Sequence, residues 1–212
     1  MRSTKGCGLL WDGRAPSTGQ TVTTLRTFIA LELSPEVIAE LERCQERLRR
    51  EVDFSVVWAD PKGIHLTMKF LGETNEERIP GIVERLASIA AGSVPFSLSL
   101  GHFGVSPSLA RPRVLWIGLE GDLATLGFLQ KTVTEEMAVH GFGTEDRPFM
   151  PHLTLGRIRP QQRRSPPAFV SPSAGGEVRR VALQVRGMSL IRSQLTARGP
   201  VYTRLAEFSF RG

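Results

Sequence analysis

Cysteine is almost missing from this 212-residue chain, which holds only Cys7 and Cys44. Two thiols cannot build a disulfide framework, and so few fit a reducing, cytoplasmic compartment. No uninterrupted apolar run approaches the roughly 20 residues of a membrane-spanning helix. The short apolar stretch GLLW at 8–11 is too brief for a signal-peptide core. Acidic residues thin out along the chain. Residues 147–212 hold 12 Arg and 2 Glu (+10), whereas residues 1–146 hold 15 Lys/Arg and 19 Asp/Glu (−4), together the net +6. Histidine is scarce too, at four residues. What remains is ordinary: 41% hydrophobic and 23% charged residues exclude wholesale disorder and fibrous repeats. A soluble, intracellular protein of one domain or two small lobes is expected. Its basic final third points toward an anionic partner, although an Arg-rich codon bias would give the same composition.

Residues 1–24 are rich in Gly, Ser and Thr without periodicity and read as an unstructured extension, leaving 25–212 as the folded domain. Leu25–Leu33 reads as a buried strand. Ser34-Pro35-Glu36 then signals a helix start, with Val37, Ile38, Leu41, Cys44 and Leu48 on one face. Strands are expected at Phe54–Ala59 and Ile64–Leu71 around the turn Asp60–Gly63. Thr74–Glu77 resembles a capping box, but Pro80 moves the helix to about 80–91. Strands at Phe96–Phe103 and Arg113–Leu119 precede a helix capped by Asp122. That helix carries Leu123, Leu126, Leu129, Val133 and Met137, and Gly141 stops it. Strands at Pro151–Ile158, Val178–Ser193 (bent or split at Gly187) and Val201–Phe210 complete the reading. Arg159–Gly176 is a Pro/Ser/Arg-rich loop, either a solvated surface or a rim that guides the anionic partner. Many strands and three helices without strict βαβ alternation indicate an α+β fold with antiparallel sheet.

The chemistry lies in an internal repeat. His65-Leu66-Thr67-Met68 recurs 87 residues later as His152-Leu153-Thr154-Leu155. Alternation along a strand puts His65 and Thr67 on one face, with Leu66, Met68 and Phe70 on the other. His152 and Thr154 likewise share a face opposite Leu153 and Leu155. Two such strands facing each other would converge two imidazoles and two hydroxyls on one cleft. Phosphodiester hydrolysis needs one proton removed from water and one given to the leaving oxygen, and imidazole serves both roles near neutral pH. Threonine hydroxyls can donate to the non-bridging phosphate oxygens. No metal-ligand spacing accompanies either histidine, and no metal or other cofactor is expected.

These motifs carry a family resemblance. LRTFIALEL at the start, IHLTMKFLGE around His65, RVLWIGLE, RPFMPHLTLGR around His152 and LIRSQLTARGPVYTRLAEF near the end run in order over residues 26–210. The chain resembles the two-histidine (2H) phosphoesterases, in their RNA 2′,3′-cyclic phosphodiesterase or 2′-5′ RNA ligase-like branch. The resemblance implies two similar lobes, each an antiparallel sheet with helices on its outer face, around a central cleft. It also implies hydrolysis of an RNA-terminal 2′,3′-cyclic phosphate, as on tRNA fragments, to a 2′-phosphate by a monomeric cytoplasmic enzyme. On that pattern His65 would protonate the leaving 3′ oxygen and His152 would activate water. Thr67, Thr154 and Arg157 would hold the phosphate. Strict alternation turns Arg157 away from His152, so a bulge at Gly156 is expected to re-aim it.

Blander readings stand beside these. An imidazole on a strand is ordinarily a partly buried structural group, the reading given to His102 and His140. Thr67 and Thr154 also suit a strand on propensity alone, and Arg157 would serve as a solvated charge. Phe28, Trp58, Phe103 and Phe149 read as core, with a nucleobase-stacking role open to one at the cleft mouth, and Cys44 reads as packing. The functional alternatives are ATP-independent 2′-5′ RNA ligation by the same groups, a non-catalytic module binding RNA ends, and hydrolysis of a small cyclic nucleotide.

Overall fold

A computed structural model describes residues 23–52, 55–108, 111–144, 148–159, 178–197 and 199–211. The expected extension up to residue 22 and nearly all of the Arg-rich loop lie outside them. Strand β1 (Thr24–Leu31) leads to helix α1 (Pro35–Glu51), whose start is set as the sequence predicts. Pro35 occupies the first turn, and the Ser34 hydroxyl accepts a long 3.5 Å bond from the Val37 N–H. Val37, Leu41, Cys44 and Leu48 are buried at helical spacing. Val37, Leu41 and Leu48 each contribute about 1.5–3 kcal/mol by leaving water.

Strands β2 (Val56–Trp58) and β3 (Leu66–Asn75) flank a 3₁₀ turn at Pro61–Gly63. Helix α2 spans Ile79–Ala91. The expected capping box resolves differently: Asn75, not Thr74, caps the 3₁₀ turn before α2, accepting the Glu77 N–H at 2.9 Å. Thr74 is buried in β3 with its hydroxyl 2.8 Å from that of Thr27. Strands β4 (Phe96–Ser106) and β5 (Val114–Gly121) precede helix α3 (Leu123–Val139). Asp122 caps α3 by accepting the Thr125 N–H at 3.0 Å, and Gly141 adopts φ 76° just beyond it. Leu123, expected inside, is exposed at the first position of α3, where the stripe has not yet turned inward. Strands β6 (His152–Ile158), β7 (Ala182–Val185), β8 (Gly187–Thr196) and β9 (Gly199–Ser209) follow. The chain breaks at Arg186, one residue before the expected Gly187, and the pieces join different sheets.

The two antiparallel sheets have the orders β3-β1-β8-β9 and β2-β6-β5-β4-β7. They interlock. In each, a strand carrying a His-x-Thr motif pairs with the strand that precedes it across a helix, β1 with β3 and β5 with β6. The third strand inward comes from the other half of the chain: β8 beside β1, and β4 beside β5. Helices cross as well. Helix α1 follows β1 yet bonds to the second sheet, through Gln45 to the Leu155 carbonyl, and to the segment leading into β7, through Glu40 to the Arg179 N–H. Helix α3 follows β5 yet packs on β3 of the first sheet, while α2 lies on β8 and β9. One main apolar core runs through both layers, giving the expected α+β architecture. No described helix is long and apolar enough to cross a membrane.

Candidate active site

Each repeat holds its imidazole in the same way. His65 Nδ1 lies 2.8 Å from the Gly63 carbonyl oxygen, and His152 Nδ1 lies 2.7 Å from that of Met150. A carbonyl only accepts, so both rings carry their proton on Nδ1 when neutral and present Nε2 for chemistry. The partner is in both cases the residue two before the histidine. Local backbone thus fixes both tautomers, with no carboxylate required.

Both motif strands are then bulged at the same place. In β3, Ile29 pairs with Lys69 but Ala30 with Thr67, leaving Met68 unopposed. In β6, Leu115 pairs with Gly156 but Trp116 with Thr154, leaving Leu155 unopposed. One extra residue reverses the face of everything after it. Leu155 and Gly156 are consecutively buried, and Arg157 emerges exposed on the face of His152 and Thr154, as expected from Gly156. The same device in β3 overturns the expected facing of Phe70. Met68 and Lys69 are consecutively buried, and Phe70 emerges on the side of His65 and half-buried Thr67.

A glutamine pins each bulge from a helix belonging to the opposite half. Gln45 of α1, fully buried, donates from Nε2 to the carbonyls of Leu155 and Ala59, both at 2.8 Å. Gln130 of α3 donates to the Met68 carbonyl at 3.3 Å. Gly156 has no room for a side chain, since a Cβ there would stand 2.7 Å from Val56 Cγ1 and 3.1 Å from the Val57 oxygen. The matching Lys69 is buried instead, donating from Nζ to the Gly143 carbonyl at 2.6 Å.

The surroundings of the two imidazoles differ. His65 is half-buried, stacked on Phe28 at 4.5 Å between ring centres with Tyr202 edge-on at 5.1 Å. Burial pushes its pKa below the ordinary 6.5, against the opposing Gly63 hydrogen bond and Glu32 charge. Burial would raise the Glu32 carboxyl, but hydrogen bonds from Arg204 and Ser189 and the charge of Arg204 hold it below the usual carboxylate range. Arg204 grips it with two bonds, at 2.7 and 2.5 Å. His152 is exposed, with the Trp116 ring edge-on at 6.2 Å. Tyr202, the single tyrosine of the chain, stands beside His65. Burial raises its phenol pKa, while the charges of Arg157 and Arg26 pull it down.

Comparison with known proteins agrees with this geometry. The family described as LigT like Phosphoesterase matches in two successive stretches, residues 31–116 and 118–202. The chain belongs to the LigT-like phosphoesterases. A Thermus thermophilus protein named RNA 2′,3′-cyclic phosphodiesterase is 36% identical over 194 residues, covering 89% of this chain and 91% of its own. One of the same name from Aquifex aeolicus is 32% identical over 191 residues, covering 89% and 98%. A Thermus thermophilus crystal structure superposes with a TM-score of 0.73 at 32% identity, covering 89% of this chain and 99% of that one. E. coli LigT complexed with 3′-AMP shares the fold, with a TM-score of 0.69 at 24% identity, covering 90% and 100%. The two-part match falls on the same halves as the repeat, one histidine in each.

Several residues in this LigT-like site escape a reading by motif. Phe70 and Tyr202 join Phe28 and His65 in one group of rings, with Phe28–Phe70 at 5.9 Å and Phe28–Tyr202 at 5.5 Å. Phe28 is buried as expected, but against the imidazole and apart from the main core. His102, expected to be a partly buried structural group, is exposed with its ring 5.6 Å from Trp116. Gly118 lies opposite His152, and a Cβ there would touch His102 at 3.4 Å. Trp116 lies flat over Gly104, where a Cβ would come within 2.3 Å of its ring. Cys44, read as packing, is a buried free thiol.

Proposed function

We propose that this protein hydrolyses RNA-terminal 2′,3′-cyclic phosphates to 2′-phosphates, with His65 and His152 as the acid and base. The observation that carries the reading is the matched anchoring of the rings, each with Nδ1 committed to a backbone carbonyl and Nε2 left for the substrate. His152 Nε2 takes a proton from water as the water oxygen bonds to phosphorus. The bond from phosphorus to the 3′ oxygen breaks, and Nε2–H of His65 protonates that oxygen. Arg157 and the two threonine hydroxyls bind the non-bridging oxygens, whose charge grows in the transition state. The activity for which the T. thermophilus and A. aeolicus relatives are named supports the substrate class. All five residues come from one chain, so a monomer suffices. The buried free Cys44 fits a reducing cytoplasm, and RNA ends there, those of tRNA fragments among them, are the substrates this reading assigns.

Incubating the purified protein with a 2′,3′-cyclic-phosphate oligonucleotide in the presence of chelator tests the reaction and its direction of opening. The 2′-phosphate is the expected product. Accumulation of the 3′-phosphate would overturn the assignment of the leaving oxygen, and an unchanged substrate would defeat the proposal.

The lowered pKa of His65 gives a pH test of the roles. A general acid must be protonated in the free enzyme, so kcat/KM falls as pH rises through a value below 6.5. Tyr202→Ala opens His65 to water and moves that alkaline limb upward. If the acidic limb moves instead, His65 is the base and the roles are exchanged. The same burial has a stability cost with a defined sign. The unfolded chain takes up the proton first, so stability declines as pH falls below 6.5 through the folded value.

A further inference from the structure

The mechanism above leaves one exposed imidazole on the second sheet without a task. Strand β4 is bulged at its own histidine: Leu100 pairs with Leu119 and Phe103 with Ile117, so Gly101 and His102 together oppose Gly118. Leu98 and Leu100 are buried, and unbroken alternation would carry His102 into the core after them. The extra residue turns it outward instead. Gly101 makes room for the bulge, since a Cβ there would stand 3.0 Å from Glu120 Cγ. Gly118 pairs with His152 and shares its face, and a Cβ on Gly118 would meet the His102 and Trp116 rings, each at 3.4 Å. The His102 imidazole therefore lies over β5 on the face of His152, with its own backbone two strand spacings from β6, about 10 Å. Its ring nitrogens have no hydrogen-bond partner among the described residues. Glu120, two residues beyond Gly118, is neutralised by Arg180 at 2.8 Å and does not repel an anion there.

We infer that His102 donates to the phosphodiester on the 5′ side of the reacting nucleotide, so that the site recognises an RNA chain rather than a lone cyclic nucleotide. The inference rests on the phosphodiesterase reading above and adds a subsite to it. An RNA end carries the cyclic phosphate and, on the 5′ oxygen of the same ribose, the diester that continues the chain. Arg157 and the threonines are committed to the first. The second lies one nucleotide step along, and on the wall of His152 the His102 imidazole is an unclaimed donor. An imidazole N–H bonded to a charged phosphate oxygen belongs to the stronger class of hydrogen bonds. Such a contact reads the backbone and is indifferent to the base.

Adenosine 2′,3′-cyclic phosphate and the same compound carrying a 5′-methyl phosphate isolate this contact, because only the second has the diester. The native protein is expected to favour the second by about 5- to 10-fold in kcat/KM. His102→Ala should lose that preference by slowing the 5′-methyl phosphate, and His102→Arg, which keeps a donor, should retain it. His102 is exposed, so both variants should fold, which thermal melts check. Equal slowing of both compounds would place His102 on the reacting atoms and overturn the subsite, as would a preference that survives His102→Ala. Native turnover of both compounds at one rate defeats the subsite alone. Failure on both defeats the phosphodiesterase reading, and this inference with it.

Discussion

Alanine at His152 is expected to lower the rate of cyclic-phosphate hydrolysis by about 10²–10⁴-fold, and alanine at His65 by a similar factor, because each variant loses one of two proton carriers. The double variant should be little worse than either single one, since the transferred protons belong to one concerted event. Stability separates the two cases. His152 is exposed, so His152→Ala should leave the melting temperature nearly unchanged. His65→Ala removes a ring packed against Phe28 and Tyr202, and some loss is expected there. Single-turnover rates alongside thermal melts check both points. Near-native hydrolysis by a folded His152→Ala protein would transfer the base role to another group, and exposed His102 across Gly118 is the first place to look.

Gln45→Met is the largest effect expected away from the reacting atoms. The side chain is fully buried, and both of its Nε2 bonds go to backbone carbonyls. Methionine fills nearly the same volume but leaves the Ala59 oxygen without its donor, while Leu155 keeps the bond from the Ala59 N–H. Two lost bonds and one orphaned carbonyl amount to roughly 2–4 kcal/mol, or a fall in Tm of about 5–15 °C at this chain length. Activity measured below the melting transition should fall as well, because the bulge that aims Arg157 has lost its clamp. Gln130→Met, with one longer bond at 3.3 Å and partial burial, should cost less. A Gln45→Met protein with native stability and native KM would show that the bulge is set by β2 and Gly156 alone.

The repeat was legible because its chemistry is written in side chains: two of four histidines share one tripeptide and one phase. The helix starts were legible for the same reason, as Ser34 and Asp122 cap with oxygens that the sequence displays. The bulge at Gly156 announced itself through a glycine within a strand. Its twin in β3 did not, because Lys69 gives no such signal. A lysine reads as a solvent-facing residue, yet here it is buried with its ammonium on the Gly143 carbonyl. Unbroken alternation then carried Phe70 to the wrong face. The break beside Gly187 was visible as a weak point, but hydrophobic patterning holds no information about which sheet each piece joins. Tyr202 and Trp116 stand in strands without a motif around them, and only the tertiary pairing brings them against the imidazoles.

The crossed strands and helices bear on how such a chain can exist at all. Neither half, made separately, could complete a layer: the first would own β1 and β3 without β8, the second β5 and β6 without β4. Each would also be left with a helix whose apolar stripe belongs on its counterpart. A lone ancestral unit could have satisfied both needs only by exchanging segments with a second identical chain. Fusion of two such units into one gene would make that exchange permanent, and would free each copy to change independently. The lysine and phenylalanine of one motif, facing the glycine and arginine of the other, are what such divergence looks like.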